Sequence, residues 1–111
     1  MANKVMKNMN QSEILVLKDQ VNYQDGQIVS KTLVQNAHVS ITLFAFDKDE
    51  EISAHSSHGD AMVTVLDGIA EIMIGGEKFK VSAGETIVMP ADVLHAVYGL
   101  EKMKFMLTVV F

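Results

Sequence analysis

The stretch "AMVTVLDGIAEIMIGGEKFKVSAG" constrains the fold most, because two turn signals and one apolar alternation must agree within it. Two-residue turns that contain glycine typically join the neighbouring strands of a β-hairpin. We therefore place a turn at Asp67-Gly68, which would pair Leu66 with Ile69, and a second turn at Gly75-Gly76. The sequence predicts two successive antiparallel hairpins.

The predicted register assigns every side chain of these strands to a face. The second turn sets Ile74 opposite Glu77 and Glu71 opposite Lys80. Alternation then gives an apolar face, expected to point inward, that consists of Ala61, Val63, Val65, Ala70, Ile72, Ile74, Phe79 and Val81. The other face receives Thr64, Glu71, Lys78 and Lys80. A slip of one residue would invert every side chain, so the agreement of both turns favours this register.

The same alternation continues in "HVSITLFAF" and "EKMKFMLTVVF", and turn signals separate the strands at short intervals. Many short antiparallel strands indicate an all-β sandwich or barrel of the jelly-roll class. A chain of 111 residues with 49% apolar residues can bury one core. We expect a single domain over residues 1–111, with residues 1–10 flexible because they are polar.

Charge and composition exclude several classes of protein. A formal net charge of −5 with nine Lys and Arg residues argues against nucleic-acid binding, and the lysines form no patch for anionic lipid. No apolar run approaches the roughly 20 residues that cross a bilayer. The start "MANKVMKNMN" lacks the apolar centre of a secretory signal, so we expect a cytoplasmic protein. The absence of cysteine leaves imidazole and carboxylate as the ligands for any transition metal.

The stretch "GETIVMPADVLHAV" resembles the second sequence motif of the cupin superfamily of small β-barrels. That motif reads glycine, five residues, proline, one residue, glycine, two residues, histidine, three residues, asparagine. Gly84, Pro90 and His95 match it. Asp92 stands at the second glycine position and Gly99 at the asparagine position.

The first cupin motif is present in a degenerate form. It reads glycine, five residues, histidine, one residue, histidine, three or four residues, glutamate, six residues, glycine. His55 and Gly68 match at the correct separation. Asp49, Ser57 and Ala61 occupy the positions of the first glycine, the second histidine and the glutamate. The resemblance implies a single-domain double-stranded β-helix barrel of the cupin type.

The resemblance also implies a divalent transition metal, zinc, nickel, iron or manganese, held by imidazoles and a carboxylate in the barrel mouth. His55 lies in phase with the inward face, whereas His58 lies one residue out of phase. A β-bulge at Gly59 would turn both His58 and Asp60 inward. We therefore predict His55, His58 and His95 as metal ligands, with Asp60 as a candidate fourth. The alternative is that the two loop histidines are solvated and that His95 is a hydrogen-bonded core residue.

Two classes of function stay open at this point. The first is a metal-dependent enzyme in which the metal polarises a small oxygenated substrate. The second is a non-enzymatic, metal-free module that binds or senses a small molecule. The missing glutamate at Ala61 favours binding or an unusual metal site, and fold alone does not decide between the classes.

The stretch "IVSKTLVQ" carries apolar residues on both strand faces, Ile28 and Val34 against Val29 and Leu33. One face can meet the barrel interior, and the other needs cover. We expect a homodimer that forms partly through these N-terminal strands.

Overall fold

The computed structural model describes residues 5–111 and builds them almost entirely from strands. The strands are β1 (Ile28–Gln35), β2 (Val39–Phe46), β3 (Glu51–His55), β4 (Asp60–Asp67), β5 (Ile69–Ile74), β6 (Glu77–Ser82), β7 (Thr86–Met89), β8 (His95–Gly99) and β9 (Met103–Val110). In the described part of the chain, helical structure is limited to a three-residue 3₁₀ turn at Leu17–Asp19.

The strands form two antiparallel sheets that enclose one core. The five-stranded sheet has the order β1-β2-β9-β4-β7, and the four-stranded sheet has the order β3-β8-β5-β6. Apart from the β1-β2 and β5-β6 pairs, neighbouring strands in each sheet come from distant parts of the chain, as in a double-stranded β-helix. The predicted all-β jelly-roll class is confirmed. Residues 5–111 contain no helix that is both long and apolar enough to span a membrane.

The second predicted hairpin is confirmed. Strands β5 and β6 pair across the Gly75-Gly76 turn, with Ile74 opposite Glu77 and Glu71 opposite Lys80. Gly75 has a φ of 61°, a left-handed conformation that glycine adopts without steric strain.

The first predicted hairpin is wrong. β4 pairs with β7 and β9, whereas β5 pairs with β6 and β8, so Leu66 does not pair with Ile69. Asp67-Gly68 instead carries the chain from one sheet to the other. Gly68 has a φ of 70°, and a Cβ there would lie 1.9 Å from the carbonyl oxygen of Lys102. The glycine is therefore required by the close approach of β9.

The predicted faces survive this correction, because the crossing shifts the alternation by one residue just as a hairpin would. The register of β4 against β9 breaks between Val65 and Asp67. Six of the eight residues predicted to point inward are buried in the core, namely Ala61, Val63, Val65, Ala70, Ile72 and Val81. Ile74 packs against them. Phe79 lies opposite Ile72 but stays 37% exposed, because β6 is an edge strand.

Three phenylalanines fill the space between the sheets. The rings of Phe44 and Phe105 stack with centroids 4.9 Å apart, and Phe46 meets Phe105 edge-to-face at 5.4 Å. Phe46 and Phe105 are fully buried. The deep interior of the barrel is thus packed with aromatic side chains.

The outer face of the five-stranded sheet carries a second core beneath the N-terminal segment. Its buried members are Val21, Leu33, Val34, Leu43 and Ala45. Of the ten residues expected to be flexible, residues 1–4 lie outside the described part of the chain. Lys7 N donates to Leu33 O, and Asn8 Nδ2 donates to Thr32 O. The chain therefore supplies part of the cover that its apolar β1 requires.

A buried lysine fastens the same segment. Lys104 Nζ donates to Lys18 O at 2.6 Å and lies 4.8 Å from the centroid of the Tyr23 ring. The Tyr23 hydroxyl donates to Asp67 Oδ2 at 2.6 Å. Burial and this carboxylate raise the pKa of Tyr23 above its usual range, so the hydroxyl stays protonated as a donor.

Candidate ligand site at the barrel mouth

Two of the predicted site residues lie side by side. His55 ends β3 and His95 begins β8, and the antiparallel register places them directly opposite each other. Their ring centroids are 4.4 Å apart with an interplanar angle of 69°. The two imidazoles therefore form one pair at the open end of the four-stranded sheet.

Each imidazole of the pair is oriented by a main-chain carbonyl. His55 Nδ1 lies 2.9 Å from Ser53 O, and His95 Nδ1 lies 3.2 Å from Val93 O. A carbonyl oxygen only accepts hydrogen bonds, so Nδ1 carries the proton in both rings. In the neutral tautomer this leaves a bare lone pair on each Nε2 atom, available to a proton donor or a metal ion.

The two histidines differ in their access to water. His95 is 3% exposed, whereas His55 is exposed. Burial lowers the pKa of His95, and the nearby His55 lowers it further, while the Val93 carbonyl opposes both effects. His95 is therefore held in its neutral form at neutral pH. Within residues 5–111 no buried side-chain nitrogen or oxygen lacks a hydrogen-bond partner. Because Nε2 of His95 is left without a partner, this atom is reached by solvent.

The position of the missing glutamate points into the core, as predicted. Ala61 is 2% exposed and pairs with Met89 on one side and Val109 on the other. All three belong to the central apolar cluster. The five-stranded sheet thus offers methyl and thioether groups at this level of the barrel, and no carboxylate.

The other predicted ligands have different partners. His58 Nδ1 lies 3.0 Å from Asp92 Oδ1, and both side chains are largely exposed. Asp60 Oδ1 accepts the main-chain N–H of Ala91 at 2.8 Å. Ser57 O accepts the N–H of Asp92 at 2.8 Å. These contacts tie the loop before β4 to the loop before β8.

In the arrangement observed, the described side chains do not assemble the ligand set that a metal centre of the implied type needs. Across residues 5–111 no group of three or more His, Asp or Glu side chains is placed to hold a metal ion. The pair of imidazoles is short of the three or four protein ligands that zinc usually requires. The predicted set of His55, His58 and His95 with Asp60 stays a prediction, since it needs His58 to leave Asp92.

Two aspartates in the degenerate motifs have a structural role that the sequence did not reveal. Asp49 and Asp92 stand at motif glycine positions, and both adopt left-handed backbone conformations with φ of 71° and 64°. Aspartate tolerates this conformation better than most side chains. The sequence signal for these turns was the presence of aspartate at two positions where the cupin motifs have glycine. The substitutions keep the turns and add the carboxylates that bind His58 and Tyr98.

Comparison with known proteins adds a family and a set of structural relatives. A family model described as a Cupin domain matches residues 42–111. A search of the curated proteins finds no match.

Solved structures resemble most or nearly all of the chain. A conserved protein of unknown function from Streptococcus pyogenes is 44% identical over 99% of this chain and 96% of its own, with a TM-score of 0.97. A cupin superfamily protein from Desulfitobacterium hafniense is 27% identical over 96% and 97%, with a TM-score of 0.91. A Cupin 2 conserved barrel domain protein from Leptotrichia buccalis is 41% identical over 85% of this chain and 46% of its own, with a TM-score of 0.83.

Proposed function

Since the chain belongs to the cupin family, we propose that its barrel mouth binds a small oxygenated organic molecule through His55 and His95, without a metal centre built by the protein. The observation that carries this proposal is the imidazole pair, in which both Nδ1 atoms are committed to carbonyls and both Nε2 atoms are left for a ligand. Hydroxyl groups of the ligand would donate to these Nε2 atoms.

The surroundings of the pair support a shallow site. Phe44, Phe46 and Phe105 fill the deeper barrel, so a ligand of the histidine pair would be bound at the end of the barrel. Small-molecule sites commonly combine apolar walls with a few polar groups that fix orientation.

The experiment is a titration followed by long-range ¹H–¹⁵N spectra of the four histidines, with glycerol, glycolate and propane as hydroxyl-bearing, hydroxy-acid and apolar probes. We expect shifts at Nε2 of His55 and His95 for the first two probes. His38 and His58 serve as internal controls, because His38 is exposed and His58 is paired with Asp92. Equal shifts at all four histidines would contradict the proposal.

A second candidate function is a metal-dependent one, and the tautomers of the pair favour it. Histidines that bind metals usually donate the other ring N–H to a carbonyl or carboxylate, as His55 and His95 do. A divalent ion would be held by these two residues, with His58 or Asp60 recruited from the adjoining loop, and would supply Lewis acidity to a bound oxygen.

Elemental analysis of protein purified without a histidine tag separates the two candidates. The metal-free proposal expects no stoichiometric zinc, nickel, iron or manganese, and only weak zinc binding on titration. Tight zinc binding that His55→Gln, His95→Gln and His58→Gln each abolish, while His38→Gln leaves it intact, would establish the predicted three-histidine site instead.

We also propose that the protein is a homodimer. The N-terminal segment leaves Met62, Val88 and Val110 exposed on the outer face of the five-stranded sheet, where Met62 lies directly beside Val88. In the same segment, Ile14 is completely exposed and Val16 is about half exposed. Two apolar surfaces on one molecule can meet in a two-fold contact in which each copy contributes both.

Light scattering at micromolar concentration tests the dimer, with Ile14→Asp and Val88→Asp expected to yield monomers. Glu13→Lys, next to Ile14, is the matched control that should remain dimeric. A wild-type monomer would refute this proposal and leave the ligand proposal untouched.

A cytoplasmic location stays a prediction.

A further inference from the structure

A groove lies on the outer face of the four-stranded sheet, on the side of its strands that faces away from the barrel core. Its volume is about 410 Å³, and its lining residues are Glu51, Glu71, Met73, Lys78, Ala96 and Tyr98. These residues alternate with core residues such as Ile72 and Val97, so they point outward. The groove is separate from the histidine pair, which shares the inward face with Ile74.

The sheet register sets an aromatic ring between two carboxylates. Tyr98 on β8 lies opposite Glu51 on β3 and opposite Glu71 on β5. Its hydroxyl donates to Asp49 Oδ1 at 2.6 Å, which holds the side chain in place. Met73 and Ala96, also directly opposite each other, form the next row. The floor of the groove is therefore aromatic and apolar, and acids flank it.

We propose that this groove binds a small organic cation, with the ammonium group at the Tyr98 ring between Glu51 and Glu71 and the alkyl part on Met73 and Ala96. A cation is attracted both by the carboxylates and by the electron-rich face of an aromatic ring. The proposal concerns a surface outside the barrel mouth and is independent of the proposed function there.

An ammonium group of the chain itself already lies at this groove. Lys78 Nζ is 3.7 Å from Glu71 Oε1, and the lysine side chain is 69% exposed. Such an exposed pair contributes little to stability and exchanges readily with solvent. Lys78 thus shows which kind of group the acids accept, and it competes with an external cation for Glu71.

The electrostatics around Tyr98 agree with this assignment. The hydrogen bond to Asp49 raises the pKa of Tyr98 most, desolvation raises it next, and the charges of Asp49, Glu51 and Glu71 add to the shift. Three carboxylates therefore place negative charge around the ring. Neutral or anionic ligands gain nothing from it.

The test is a titration with choline, followed by the methyl resonances of the methionines in ¹³C-methyl-labelled protein. Met73 lies in the groove, whereas Met62 is exposed on the outer face of the other sheet and is the internal control. We expect a saturable shift of the Met73 methyl and none at Met62. The uncharged isostere 3,3-dimethylbutan-1-ol should shift Met73 far less. An equal response to the alcohol would overturn the proposal.

Charge variants sharpen the test. Glu51→Gln and Glu71→Gln should each weaken choline binding by about twofold to fivefold, as expected for one exposed ion pair. Lys78→Ala should tighten it, because the competing ammonium is removed. Glu13→Gln and Lys18→Ala change charge outside the groove and should have no effect. Weaker binding in Lys78→Ala, or affinity unchanged in both glutamate variants, would overturn the proposal.

Two substitutions of Tyr98 test the role of the aromatic ring, and their spectra control for loss of the fold. Tyr98→Phe keeps the ring and should retain most of the affinity, whereas Tyr98→Leu should lose it. Unchanged spectra elsewhere in the chain report an intact fold in both variants. Equal affinities for the Phe and Leu variants would overturn the role of the ring.

Discussion

Replacing Gly68 by alanine tests whether Asp67-Gly68 crosses between the sheets or turns within a hairpin. A Cβ at Gly68 would lie 1.9 Å from Lys102 O and 2.9 Å from Met103 Cα. Atoms of this kind do not approach closer than 3.0 Å, so the start of β9 would have to move by about 1 Å. Met103 is fully buried, so this movement would disturb the core.

Gly26→Ala is the matched control. Gly26 has a φ of 68°, close to the 70° of Gly68, but a Cβ there meets nothing within 4 Å. The left-handed conformation alone costs alanine about 1 kcal/mol. We expect a loss of about 1 kcal/mol for Gly26→Ala and about 3 to 5 kcal/mol for Gly68→Ala, the range of severe steric disruption.

Urea unfolding followed by circular dichroism measures the difference. With a slope of about 1.5 kcal/mol/M, a difference of roughly 3 kcal/mol separates the two midpoints by about 2 M. A hairpin turn at Asp67-Gly68 would leave the Cβ in open space. Equal midpoints for the two variants would therefore refute the crossing and the close approach of β9.

Three further predictions concern the faces, the histidines and the vacant motif position. Ile72→Asp should destabilise the protein by several kcal/mol, as measured by urea unfolding, because Ile72 is fully buried. Exchanging the paired residues Glu71 and Lys80 should cost less than about 1 kcal/mol. Comparable losses from both changes would contradict the face assignment. The native pKa of His95 lies below its unfolded value of 6.5, so the native state binds fewer protons than the unfolded state. The free energy of unfolding should therefore fall as the pH drops below about 6.5. His95→Gln should flatten this dependence between about pH 7.5 and 5.5, and the control His38→Gln should not. Ala61→Glu should destabilise the metal-free protein because Ala61 is buried. If the added carboxylate completes a site with His55 and His95, zinc should raise the melting temperature of the variant more than that of the wild type. An equal rise in both proteins would show that a carboxylate at position 61 does not complete a metal site.

Local patterns were enough to determine the faces of the strands. Alternation placed Ala61, Val63 and Ile72 inward, and the Gly75-Gly76 turn fixed the pairing of β5 with β6, because turn type and register are properties of adjacent residues. The spacing of Gly84, Pro90 and His95 identified the family, and a family model matching residues 42–111 confirms it.

Long-range pairing was decided only by the tertiary structure. A hairpin and a crossing at Asp67-Gly68 give the same alternation, so the sequence could not reveal that β4 pairs with β9 instead of β5. The exposure of Phe79 likewise follows from the position of β6 at a sheet edge.

The candidate site divides in the same way. Alternation placed His55 inward and the cupin motif indicated His95 as a ligand, and the register of β3 against β8 brought their rings together. The partner of His58 is Asp92, 34 residues away, and no local pattern connects them. Which side chains meet at a barrel mouth depends on how distant loops close over it, and that closure is a property of the folded chain as a whole.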